Sequence, residues 1–317
     1  MTNHLPTDGK SYPRASWFPG SAGRQGALSV ALGAALWGLF WIPLRFLDER
    51  GVTGLWAVAL VMFALIIPAF IALACSRKLH TLKSADAWII GCALGLSTVL
   101  YFTGIIVSDV IRVVFLFYLL PVWTTLAARI IYKEPITHTR LLVITIALIG
   151  LWLLLGGGNS IPIPNNIGDW CGLLAGACWG FSLAAIRGKD DVDAGAMVCT
   201  TAVGATIIAV VMALLLSNVG LSELVSTPKV ESWPLVLGIT LVFSTLLLLP
   251  SLIGQVWGAQ RIAAPTAALL TMSEILVATV SAYVLVGTEL NAISFFGAMI
   301  ILIAVLIDIT VQYKQPE

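Results

Sequence analysis

Apolar residues run on along most of this chain for about 18 to 25 positions at a time, the length a helix needs to cross a hydrocarbon core of roughly 30 Å. Polar residues gather between the runs. Ten runs fall at residues 26–46, 53–75, 87–107, 111–132, 140–157, 168–187, 195–217, 234–258, 263–287 and 292–312. They are continuously apolar rather than alternating, and about twice as long as a tilted barrel strand requires, so the pattern predicts helices. The expected fold class is an all-α polytopic membrane protein with ten transmembrane helices. A polar tail (1–25), a linker (158–167) and a short C-terminal tail (313–317) complete it.

Composition agrees. Of the 317 residues, 59% are hydrophobic and 10% charged, and the mean hydropathy is +0.99, outside the soluble range. The polar start lacks the short apolar core and cleavage site of a signal peptide. If residue 1 is cytoplasmic, Lys10, Arg14, Arg24, Arg77, Lys78, Lys83, Arg129, Lys133, Arg140, Arg187, Lys189, Arg261 and Lys314 share its side, against Arg45, Arg50, Arg112 and Lys229 opposite. That bias places both termini inside, and the plasma membrane is the expected location. The net charge of +1 gives no argument for nucleic-acid binding.

Residues 26–45 (GALSVALGAALWGLFWIPLR) align without gaps on 168–187 (GDWCGLLAGACWGFSLAAIR). Gly26 meets Gly168, Trp37 meets Trp179, Gly38 meets Gly180 and Arg45 meets Arg187. Each half (26–157 and 168–312) then holds five spans. Five is odd, so the second half enters the membrane from the opposite side and the repeat is inverted, the usual architecture of carriers that alternate access around a midplane site.

The chain resembles EamA-type members of the drug/metabolite transporter superfamily. The Trp-Gly pairs of spans 1 and 6 carry the resemblance, together with Pro121 and Glu134 around span 4, and Glu274 and Gly287 in span 9. Three positions depart from the family pattern: Lys133 stands where Gly is usual, Ile275 where Pro is often found, and Thr288 separates Gly287 from Glu289. The resemblance implies ten helices in two inverted repeats, with spans 1, 3, 4, 6, 8 and 9 around a central cavity.

Glu274 is the residue that most needs a role, because a charge at a helix centre costs about 2.5 to 3.5 kcal/mol on insertion scales. It lies on a small and polar stripe with Ala267, Thr271, Ala278 and Ser281. It is a candidate for substrate binding and proton coupling, or else a protonated acid bonding a neighbouring helix. Interior aromatics are the second set: Trp37, Trp41, Tyr101, Phe115, Tyr118, Trp123, Trp179 and Trp257. Gln255 and Thr271 add polar candidates, and Pro250 is a candidate gate in span 8. The remaining span-end charges read as interfacial, with no pairs named by the sequence.

Catalytic residues, metal ligands and cofactors are not expected. His4, His80 and His138 lie in polar segments, the five cysteines read as small hydrophobes, and no phosphate-cradling loop is present. The expected function is a secondary transporter of small organic metabolites, amino acids or related compounds, exported by alternating access. The alternative substrate is a cationic or quaternary-ammonium compound, and the remote alternative is a non-transporting structural membrane protein. The partners expected are a small-molecule substrate and the lipid bilayer, with oligomerisation left open.

Overall fold

The computed structural model describes residues 21–156, 163–218, 228–287 and 292–313, and all regular structure in them is helical. Nine described helices are long and apolar enough to cross a membrane: α1 (Ala22–Asp48), α2 (Gly54–Cys75), α3 (Ala85–Val107), α4 (Val110–Tyr132), α6 (Ile167–Ile186), α7 (Ala194–Asn218), α8 (Trp233–Ala259), α9 (Ala264–Val286) and α10 (Ala292–Thr310). The tenth, α5 (His138–Leu154), is 17 residues long. It stops short of the expected residue 157 because Gly156 follows at a φ of +102°, a left-handed turn that ends a helix. The tail to residue 20, linker residues 158–162, Thr288, Glu289 and the last four residues lie outside the described set.

Four spans that read as continuous in sequence are interrupted. Helix α1 breaks between Trp37 and Trp41, α4 at Tyr118–Leu119 and α9 at Thr271–Met272, while α8 widens into a π-helical turn over Ser244–Leu248. Pro43, Pro121 and Pro250 follow three of these breaks, and each lacks the N–H that would have bonded the preceding turn. In α9 no proline is involved. There the Thr271 hydroxyl donates to the Ala268 carbonyl at 2.7 Å, a back-bond of the kind that bends helices.

The helices pack with the symmetry the repeat implies. Exchanging the two halves turns α1 into α6 and α3 into α8, and the two extensive interfaces α1–α8 and α3–α6 map onto one another. The pairs α2–α7, α4–α9 and α5–α10 map onto themselves. Close approach depends on residues without bulk: a Cβ at Gly91 would stand 2.9 Å from the Thr201 nitrogen, and one at Gly95 2.7 Å from the Ala205 nitrogen, so α3 and α7 meet backbone to backbone. Around that contact Met62, Leu65, Leu94 and Met197 are fully buried. We call the end of the bundle holding Ala22 and Thr310 the near face, and the opposite end the far face.

Candidate functional site

A cavity opens in the middle of the bundle where the broken helices meet. The first half of α1 supplies Trp37, α3 supplies Ser97, Thr98, Tyr101 and Phe102, and α6 supplies Trp179. Phe117 and Leu120 flank the break in α4, while Thr271 and Glu274 flank the break in α9. The space among them is narrow and in part continuous with solvent. Among the described residues that line it there is no Lys, Arg or His.

The repeat explains its centre. Trp37 and Trp179 face each other with ring centroids 6.3 Å apart, so the two repeat mates meet close to the pseudo-two-fold axis. Aromatic contacts extend outward: Trp37 to Phe40 at 4.8 Å, Phe40 to Phe102 at 5.4 Å, and Tyr101 to Phe117 at 4.7 Å. Each is within the range in which tilted or edge-to-face rings attract. The glycine after each tryptophan has its own task. A Cβ on Gly180 would stand 2.8 Å from the Trp123 Cβ and 3.1 Å from the Thr124 nitrogen, and a Cβ on Gly38 would run into the Glu274 carbonyl oxygen. Each Trp-Gly pair thus places one ring in the cavity and admits the second half of a broken helix beside it.

Glu274 sits in the first turn of that second half of α9. It keeps access to the cavity, and the side chain beside its carboxyl is Tyr118 of α4, whose buried hydroxyl makes no well-formed hydrogen bond. The three aliphatic hydroxyls of the site are anchored as donors: Ser97 to the Ala175 carbonyl at 2.7 Å, Thr98 to Leu94 at 3.0 Å, and Thr271 as described. Their oxygen lone pairs remain available as acceptors.

Of the residues singled out from sequence, Trp37, Tyr101, Trp179, Thr271 and Glu274 come together at this cavity. The others do not. Trp41 lies past the α1 break and donates its indole N–H to the Ser281 hydroxyl at 3.0 Å. Phe115 is buried in the first half of α4, and Tyr118 stands behind the cavity wall. Trp123 has its Cβ against Gly180 and is not among the cavity-lining residues. Gln255 is buried where α8 meets α1, with its amide 3.4 Å from the Ser251 hydroxyl, which itself donates to the Gly33 carbonyl. Trp257 lies under the Arg261 guanidinium, 3.8 Å from ring centroid to carbon, at the near-face end of α8. Pro250 is exposed on the outside of α8.

Ser97, Thr98, Phe102, Phe117 and Leu120 line the cavity without having been singled out. Ser97 and Thr98 carried a usable signal, two adjacent hydroxyls in an apolar span. Phe102, Phe117 and Leu120 carried none, because their side chains are what any membrane helix contains. Among the described residues no group of His, Cys, Asp and Glu is placed to hold a metal ion.

The profile of the EamA-like transporter family matches residues 24–156 and again residues 166–310. The chain belongs to the EamA-like transporter family. The two matched segments correspond to the two five-helix halves of the bundle. No curated protein matches the sequence significantly. A solved structure, titled only as the crystal structure of a protein, covers 93% of this chain and 98% of its own with a TM-score of 0.70 at 14% identity, which establishes a shared fold. This EamA-like transporter is accordingly a membrane transporter of small molecules, in a family of carriers and not of enzymes.

Proposed function

We propose that this EamA-like transporter is a secondary carrier that exports amino acids or related amine-bearing metabolites across the plasma membrane by alternating access. One observation carries the reading: among the described residues that line it, the central cavity has one carboxylate, no basic side chain, and aromatic surfaces on several sides. A carboxylate without a resident counter-charge in a low-dielectric site is best compensated by a cation that arrives with the substrate. The ammonium of an amino acid pairs with Glu274, its side chain lies against Trp37, Trp179 and Tyr101, and its carboxylate turns to the mouth of the cavity. Protonation of Glu274 in the empty carrier would supply the same neutralisation, which is how the site would couple to protons. The basic residues of the near face, among them Arg77, Lys78, Arg129, Arg140, Arg187 and Arg261, support a cytoplasmic near face.

A second substrate class is favoured by the rings themselves. Trp37, Tyr101, Phe102, Phe117 and Trp179 suit a desolvated quaternary ammonium held over aromatic faces.

Counterflow uptake into proteoliposomes, with labelled amino acids beside choline-like cations, tests both classes in the wild type and in Glu274→Gln. Amino-acid counterflow that falls at least about tenfold in the variant, the effect of about 1.4 kcal/mol of lost binding, supports the proposal. Counterflow confined to the permanent cations selects the second class. No flux of either class by folded protein overturns the amine reading.

A further inference from the structure

The pseudo-symmetry of the bundle makes its two faces comparable contact by contact, and they differ. On the near face the first half of α9 (Ala264–Leu270) packs against the second half of α4 (Leu120–Tyr132), and every one of its residues is buried. Its mirror image on the far face, the first half of α4 (Val110–Phe117) against the second half of α9 (Ser273–Val286), is missing as a packed interface among the described residues. The cavity is therefore sealed toward the near face in this conformation.

One ion pair follows the same asymmetry. At the near face Arg187, directly after α6, donates through Nη1 to Glu134, two residues after the end of α4. The contact is reinforced by Tyr132, whose hydroxyl reaches the Ala184 and Arg187 carbonyls at 2.9 and 3.0 Å and whose ring lies 5.2 Å from the Arg187 guanidinium carbon. The repeat mate of Arg187 is Arg45 at the far face. Among the described residues its ion-pair partner is Glu49, on its own helix at 3.2 Å, with the two side chains 53% and 59% exposed.

We propose that Arg187 and Glu134 form the latch of the near face: the pair joins α6 to α4 while the cavity is shut on that side, and separates when α4 and α9 part to open it. Exposure of both partners sets this pair apart from the buried tie of the far face. At the far face Asp169 is fully buried and accepts from Arg112 at 2.6 and 3.2 Å, from Ser108 at 2.7 Å and from the Asn165 backbone at 3.1 Å; separating it would strand a buried charge. The Arg187 and Glu134 side chains are 12% and 23% exposed, so water can take over each partner as the pair opens. Arg140, at the start of α5, also lies within electrostatic reach of Glu134, which makes Arg187→Gln the cleaner single substitution.

A cysteine at Ala267, fully buried in the near-face half of α9, reports opening when introduced into a transport-competent chain whose five native cysteines are replaced. The readout is the rate of labelling by a membrane-impermeant maleimide applied to the near face in inside-out vesicles. Arg187→Gln and Glu134→Gln should each raise that rate at least about tenfold, an equilibrium shift of about 1.4 kcal/mol. The charge swap Arg187→Glu with Glu134→Arg should restore slow labelling, and Arg45→Gln should leave it unchanged. Labelling at the parental rate in folded, monodisperse Arg187→Gln overturns the latch. So does fast labelling that the charge swap fails to reverse, because lost packing would then be the cause. The readout needs no substrate, so a wrong substrate class leaves this result intact.

Discussion

The second halves of α4 and α9 are the same piece of the repeat, and they live in different surroundings. In α4, Leu120, Pro121, Thr124, Thr125, Ala127 and Ala128 are buried between α6 and the first half of α9. In α9 the corresponding segment buries Ile275 alone, and Val280, Tyr283 and Val284 are exposed. The repeat halves have similar sequences in similar folds, so the difference belongs to the conformation: one copy stands in its packed arrangement and the other in its unpacked one. An inverted repeat lets a single structure display both arrangements of one element, and alternation of access amounts to their exchange.

The glycines of the two Trp-Gly pairs give the strongest way to break this comparison. Gly180→Leu forces a side chain into Trp123 and Thr124, and overpacking of that kind costs about 1–3 kcal/mol, so the detergent-solubilised protein should melt several degrees lower. Gly38→Leu pushes instead on the Glu274 backbone, in the less packed copy. It should abolish counterflow with a smaller change in melting temperature. Equal losses of stability in both variants would mean that the second halves of α4 and α9 are held equally, and the asymmetry would fall.

Truncation sharpens the same contrast at lower cost to the fold. Leu120 is fully buried and Val284 is 68% exposed. Leu120→Ala should destabilise by about 2 kcal/mol through the cavity it leaves, whereas Val284→Ala should stay within about 0.5 kcal/mol. Reversible unfolding in mixed micelles measures both. A large effect at Val284 would place a packed partner against the far-face half of α9.

Run length, parity and the Trp-Gly register make the ten-helix, two-repeat fold legible in the sequence. The site was legible only where a residue was out of place in a membrane helix: Glu274, and tryptophans too deep to be interfacial anchors. Membership of a span alone did not separate Trp37, which faces the cavity in mid-span, from Trp257, which lies under Arg261 at the near-face end of α8; position along the span was the usable signal. The ion pairs left no such signal. Glu134 and Arg187 are 53 positions apart, and Asp86, 2.5 Å from Lys189, is 103 away; periodicity on one helix carries no information about either.

The smallest expected effect concerns how the two half-helices end. Both close on a left-handed residue, Lys133 at a φ of 58° and Gly287 at 76°. Glycine adopts that conformation without strain, while a side chain there costs about 1 kcal/mol. The departure of Lys133 from the family pattern is thus a strained cap. It is tolerated beside the Arg187–Glu134 contact, where Arg129 also donates to the Lys133 carbonyl at 3.2 Å. Lys133→Gly should raise stability by about 0.5–1 kcal/mol, and Gly287→Lys should lower it by a similar amount, both read as shifts of one to a few degrees in melting temperature. If Lys133→Gly destabilises instead, the lysine side chain contributes more at the near face than its backbone strain removes, and the two caps would not be equivalent.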